Sequence, residues 1–510
     1  MKRTLSIAAM AGATCLGLGL LLSAQGSTDS VLLYWLRGWP GFGYNAQHTA
    51  LSPNASQPIN NIHWQTPLDL QQSGGGIHYG PPLVTPRNNV IVTVKTTLNG
   101  SFRIDCRKGS TGAVLWTQTT DYVLPPQTWT PPCASTLTPN LSLATPAIGG
   151  TVLLRYSADI ASSGVVRQAF YGIANYNAAP STYNTVVKIN TPITSDSRGN
   201  LYFGFLVTGP NPAGLLSGLA RMNPNGVGTW ISAGAACNDA TMSQVSMNCA
   251  PAISLDGQVV YAAFHDTSEV GYLVGMNSTT LAPLYKVRLK DPSSGQDAWI
   301  ADYSTASPAI GPDGEVYYGV LENPFPANND RGWMLHFNST LTTTLIPGAF
   351  GWDNTASPFP SSAVPQYTGT STYLLLTKYN NYAGIGGDGV NKIAVLDPHT
   401  SQIDPITGAT IMKEILLKIS PTPDPPNQTP STPNAVREWC LNSGAVDVAT
   451  NSALVNNSDG KLYRWHFPTN SLSQVKTLTA GVLEAYTPTA IGADGTVYAI
   501  NDAILFAVGQ

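Results

Sequence analysis

Eight short segments of this chain repeat one pattern, and nothing else in the sequence narrows its possible folds as much. They are PPLVTPRNNVIVTV from Pro81, TPAIGGTVLLRY from Thr145, TPITSDSRGNLYFGF from Thr191, APAISLDGQVVYAAF from Ala250, SPAIGPDGEVYYGV from Ser307, SSAVPQYTGTSTYLLL from Ser361, SALVNNSDGKLYRW from Ser452 and TPTAIGADGTVYAI from Thr487. A small residue and a proline lead into a short apolar run. A turn follows, often Asp-Gly (Asp256-Gly257, Asp313-Gly314, Asp459-Gly460, Asp494-Gly495), where positive φ suits a tight hairpin. An alternating strand ending in tyrosine comes next, and the better copies carry a third and a fourth strand, as in Gly112 to Trp116. Such units, repeated radially, predict an all-β fold: a single eight-bladed β-propeller of four-stranded antiparallel blades, with seven blades as the fallback. The last copy ends at Val508, one strand short, and Ile62 to Thr66 reads as the strand that the N-terminus lends to close the ring and remove an open edge. The turn aspartates are hairpin residues in this reading.

Composition agrees with a strand-and-turn protein and excludes other classes. Only 11% of the 510 residues are charged, against about 25% in an ordinary soluble chain. The net charge of −4 argues against a nucleic-acid binder, which would carry a basic stripe. Lys2 and Arg3 precede the uncharged stretch Leu5 to Leu22 and the small residues Ser23 to Gly26. Residues 1–26 therefore read as a signal peptide or an N-terminal membrane anchor, 27–60 as a lead-in segment and 61–510 as the propeller. Either alternative exports the rest of the chain, to the periplasm or the outside, and leaves any membrane association to that first segment. An exported chain keeps disulfides, and the spacing suggests Cys237 with Cys249 and Cys106 with Cys133, leaving Cys440 over.

The entry segment WPGFGYNAQHTALSP (Trp39 to Pro53) and the SPAIGxDGxVYxG repeats resemble the quinoprotein-like propellers, also called PQQ-binding-like repeat proteins after pyrroloquinoline quinone. That resemblance implies the propeller fold but leaves function open, because the family includes dehydrogenases, assembly scaffolds and propellers of unknown role. In the dehydrogenases it implies a quinone on the axis between a Trp and two adjacent disulfide-bonded cysteines, a calcium or lanthanide ion, and an Asp base. This chain has no adjacent cysteine pair. The nearest match to the family's catalytic stretch, His-Asp-x-Trp-Asp-x-Asp, is Gln296 to Asp302, and anchoring it on Trp299 puts Ile300 where the base belongs. The His48 of the entry motif is read as structural.

The connections that enter the innermost strands of a propeller crowd around one mouth of its channel. Here they carry His78, Trp299, Asp302, Trp352, Asp353, Glu438 and Tyr486, the candidate ligand-binding residues. Asp302, Asp353 and Glu484 are the carboxylates that could converge on a hard cation. Two insertions, Glu322 to Arg331 and Pro421 to Pro433, read as solvated connections or docking loops. The expectation is a monomeric, non-catalytic binding or scaffold protein for a protein or small-ligand partner, with no cofactor. The alternatives are a PQQ-dependent alcohol or aldehyde dehydrogenase with an altered site, using calcium or a lanthanide, and a carbohydrate-binding surface protein recognising a glycan.

Overall fold

A computed structural model describes residues 34–72, 80–98, 100–125, 133–302, 304, 306–425, 432–480 and 488–510. The chain forms eight sheets arranged as blades, numbered here by their innermost strands: Leu83–Val84, Thr136–Leu137, Thr194–Ser195, Ala252–Ile253, Ala309–Ile310, Ser357–Pro360, Ala445–Asp447 and Ala490–Ile491. Neighbouring innermost strands pack against one another around a ring. Within each blade successive strands pair antiparallel, as where Val259–His265 runs against Gly271–Asn277. In the last blade Asn61–Pro67 pairs antiparallel with Ile504–Gly509, so the first long strand and the last one share a sheet.

Three of the eight repeats sit elsewhere in their blades than the pattern suggests. In blade 2 the copy from Thr145 supplies the second and third strands (Leu143–Ala147 and Thr151–Arg155), and Thr136–Leu137 is innermost. In blade 7 the Asp459-Gly460 turn likewise joins the second strand, Ser452–Asn456, to the third, Lys461–His466. Blade 6 begins at Ser357, four residues before its copy. The displacement has a simple cause: tight turns join strands at more than one radial position, as between Ala309–Ile310 and Val316–Val320 and between Ser452–Asn456 and Lys461–His466, so a turn signal does not state which hairpin it closes. Blade 5 departs in another way. Its sheet has three strands, and residues 344–348 run beside the outer one without forming a strand, bridging Phe337 and Met334 and bonding to His336.

The repeat's tyrosine has a packing role. Tyr202, Tyr261 and Tyr317 lie on second strands and are buried. Each sends its hydroxyl into the next blade: Tyr202 donates to the Ser278 carbonyl (2.8 Å), Tyr261 to the Ser339 carbonyl (2.6 Å), and Tyr317 meets the Tyr373 hydroxyl. An aromatic ring spans the gap between sheets while its hydroxyl finds a partner on the far side.

The proposed disulfides are not present. All five described cysteines are free and buried. Cys237 ends the short helix Ala233–Cys237 and packs in one core cluster, while Cys249 packs in another. Cys106 and Cys133 share a cluster as thiols, and burial pushes the Cys106, Cys237 and Cys249 thiols up to about 12. Short spacing in sequence failed as a guide because these positions fill apolar cores, where a free cysteine behaves as a small hydrophobe.

The lead-in crosses one end of the ring. Trp39 bridges Val84 of blade 1, the Pro40 carbonyl accepts from Leu137 of blade 2, and the Ala46 carbonyl from Ile253 of blade 4. The Gln47 and Ala50 carbonyls accept from Ile310 and Val446, in blades 5 and 7. The turn into this path needs Gly43, whose φ is 57° and whose added Cβ would come within 2.8 Å of the His48 Cα. His48 is buried, pairs its Nδ1 with the Pro308 carbonyl at 2.7 Å, and is held neutral: burial lowers its pKa to about 4. Asn54 and Gln57 then bond to Gly492 and Asp494 in the innermost turn of blade 8, placing the lead-in at the end where the innermost strands turn back.

Candidate functional site

The opposite end of the ring is where the innermost strands begin, and its polar side chains are held by a recurring device. An amide or hydroxyl near the end of a second strand locks an adjacent connection in place. Asn354 Nδ2 donates to Thr377 Oγ1 (2.7 Å) and Asn354 Oδ1 accepts from Lys378 N (3.2 Å). Asn380 pairs in both directions with the backbone of Trp439, and Asn456 donates to Thr489.

These locks assemble a charged cluster over blades 5 to 7. Asp353 takes a left-handed backbone (φ 55°) just before its innermost strand, and Oδ2 lies 3.8 Å from Lys378 Nζ. The Lys378 side chain is fully buried, with Nζ 5.5 Å from the centre of the Phe350 ring. Asp330 and Glu438 act on the same lysine. Burial raises the Asp330 carboxyl to about 7, helped by Glu322 and opposed by Lys378, and burial likewise raises Glu438. The Tyr382 hydroxyl, pushed well up by burial and then by Glu438, completes the group, and half-buried Trp352 stands beside Asp353. Three carboxyls thus gather around the buried Lys378 ammonium, and the Arg437 guanidinium also acts on Glu438. Burial raises acid pKa values in this way, and neighbouring carboxylates add to it.

The insertion from Glu322 to Arg331 is what delivers Asp330. Glu322 is fully buried and accepts from the backbone N–H groups of Asn328 (3.3 Å), Asp330 (2.7 Å) and Gly332 (2.8 Å), folding the segment back on itself. Buried Arg331 anchors its end through Asp404 (2.7 Å). The Pro-rich insertion also returns, since Pro423 bridges Val436.

Of the residues expected at the mouth, Trp352, Asp353 and Glu438 come together. Asp302 belongs to a separate knot, accepting from His265 Nε2 (2.7 Å), Met247 N (2.9 Å) and Gln244 Nε2 (2.5 Å). Burial opposes charge on His265, but the bond to Asp302 outweighs it and raises its pKa. Trp299 bridges Val270 and Leu321 through its backbone. His78, Glu484 and Tyr486 lie outside the described residues. Lys378 and Asp330 were missed. A lone cation closing the apolar strand Tyr373–Tyr379 was the available signal for the first, whereas Asp330 depends on how its loop folds back.

The fold is that of the quinoprotein-like eight-bladed propellers. The chain superposes on a europium-containing methanol dehydrogenase with a TM-score of 0.53, at 9% identity, over 90% of this chain and 88% of that one. It superposes on the quinohemoprotein alcohol dehydrogenase of Comamonas testosteroni with a TM-score of 0.50, at 12% identity, over 95% and 80%. At these identities the likeness is one of fold. No protein-family model matches the sequence, and no curated protein does.

The described residues do not fit the dehydrogenases' quinone arrangement that the resemblance implied. Ile300, at the position of the base, is buried in the apolar core. Asp297, which could have substituted, is forked by Arg288 (2.7 and 3.1 Å) and paired with Lys290 (2.6 Å); the Arg288 bond leads in holding it down at about 2. The cysteines are separate and buried.

Proposed function

We propose that this protein is an exported, non-catalytic binding propeller whose charged mouth holds a small ligand bearing a positive charge. The carrying observation is the gathering of carboxyls at the mouth, where Asp330, Asp353 and Glu438 surround Lys378 and Arg437 also acts on Glu438. A cationic ligand would offset the surplus carboxylate, and Trp352 beside it offers an aromatic face to an ammonium group. The lead-in across the other end favours a recess over a through-channel. Export is supported by the N-terminal segment and the charge-poor composition.

Calorimetric titration with a small diamine such as putrescine is the test. Saturable binding is expected, weakened about tenfold, or about 1.4 kcal/mol, in Asp353→Asn. Asparagine tolerates the left-handed backbone at this position, so the variant keeps the local fold while removing the charge that faces Lys378. Absence of binding, or equal binding in the variant, overturns the reading. A parallel titration with pyrroloquinoline quinone, with calcium or europium present, should give no dye-linked alcohol oxidation; turnover would make the dehydrogenase reading the better one.

A further inference from the structure

On the end of the ring where the innermost strands turn back, away from the mouth, blades 5 and 6 meet at a group of imidazoles and carboxylates. Asp313 and Glu315 come from the innermost turn of blade 5, and His399 from the long third strand of blade 6, Lys392–Ile403. His399 Nε2 lies 3.0 Å from Glu315 Oε2 and 3.4 Å from Asp313 Oδ2. One ligand atom from each of the three residues falls within 4.8 Å of the others.

Proton accounting shows how His399 is held. Ser371 Oγ donates its only proton to Asp397 Oδ1 (2.5 Å), so toward His399 Nδ1, 3.1 Å away, it acts as acceptor. Nδ1–H therefore donates to Ser371, and Nε2 lies within hydrogen-bond and ion-pair distance of Glu315 Oε2 and Asp313 Oδ2, so a proton on Nε2 is shared with those carboxylates and a bound cation would take its place. With a cation in place of that proton, one imidazole nitrogen and two carboxylates would serve as its ligands. An Asp–Ser–imidazole chain behind the ligand is the kind of outer support that fixes the tautomer of metal-bound histidines.

The carboxylate is oriented just as firmly. His336 is buried and stacks on Tyr317, with ring centres 4.4 Å apart. Its Nδ1 pairs with the Ile346 carbonyl (3.2 Å) and its Nε2 with Glu315 Oε2 (2.8 Å), to which the Tyr373 hydroxyl also donates (3.2 Å). In a tetrahedral zinc site, with bonds of about 2.0 Å, neighbouring ligand atoms stand about 3.3 Å apart. The His399 contacts of 3.0 and 3.4 Å bracket that spacing.

We propose that Asp313, Glu315 and His399 form a zinc site that ties blade 5 to blade 6, with Ser371 and His336 positioning its ligands. One imidazole and two carboxylates suit a borderline divalent ion such as zinc, and a partly exposed edge leaves room for water as the fourth ligand. Its placement has a structural logic, because blade 5 is the sheet with three strands and has less of its own pairing to hold it.

The experiment is a zinc titration of the chelator-treated full chain, followed by calorimetry and thermal unfolding. One zinc per chain and a raised Tm are expected. His399→Asn and Asp313→Asn, both partly exposed positions, should each weaken binding at least tenfold while the metal-free Tm stays near that of the parent. Ser371→Ala should lower affinity by about 10- to 100-fold through the lost support. Asp353→Asn, at the other end of the ring, should leave zinc binding unchanged, which separates this site from the mouth. No saturable zinc binding, or binding indifferent to His399→Asn, overturns the proposal.

Discussion

His48 shows how much one side chain depends on its surroundings here. It sits among backbone carbonyls and Phe42, whose ring it meets edge-on at 5.0 Å, and burial rather than a charged neighbour sets its pKa. The folded value, about 4, lies below the unfolded 6.5, so the folded state binds fewer protons between those limits. Stability linked to His48 is therefore complete above pH 6.5 and is lost as the pH falls toward 4, by about 3 kcal/mol at most. Urea unfolding at a series of pH values should show this fall. His48→Asn, which accepts the positive φ, should flatten the profile in that window, and an unchanged slope would mean that the ring is not buried as described. The motif placed His48 in a structural role, but its acid sensitivity follows from the blades that cover it.

Among the elements, the second strands of blades 3, 4 and 5 each reach the next blade through a tyrosine. The sequence repeats that tyrosine without stating where its hydroxyl goes; the twist between adjacent blades decides that it reaches the next sheet. Tyr261→Phe keeps the ring and deletes the bond to the Ser339 carbonyl. A loss of about 1 kcal/mol, or more if the carbonyl stays dry, is expected as a lower urea midpoint with an unchanged slope. The same hairpins explain why the repeat was legible in number and less so in register. The copies at Thr145, Ser361 and Ser452 carry the strand and turn signals, yet two of them form the second and third strands and one trails its innermost strand. A period-2 strand with a tight turn looks alike at each radial position, and only packing against neighbouring blades distinguishes them.

For the whole molecule, the lead-in is the part that touches blades far apart in the chain. Trp39 is fully buried, packs with Tyr44 at 5.2 Å and bridges Val84, so its removal leaves a large void at one end of the ring. Trp39→Ala should cost about 3–5 kcal/mol in equilibrium unfolding. A loss below about 1 kcal/mol would show that the lead-in is dispensable to the ring.

Local chemistry determined the strands, their turns and their number, since apolar alternation, Asp-Gly geometry and proline entry act over a few residues and are written directly in the chain. It also marked Trp352, Asp353 and Glu438 as charged or aromatic positions out of keeping with a charge-poor sequence. Tertiary structure alone decided that Asp330 joins them, that Asp302 is occupied by His265 and Gln244, that the cysteines stay apart as thiols, and that Asp313, Glu315 and His399 meet across two blades. Each of those outcomes joins residues from different strands, connections or blades, and the protonation and pairing of a charged group depend on burial and on neighbours that ring closure supplies.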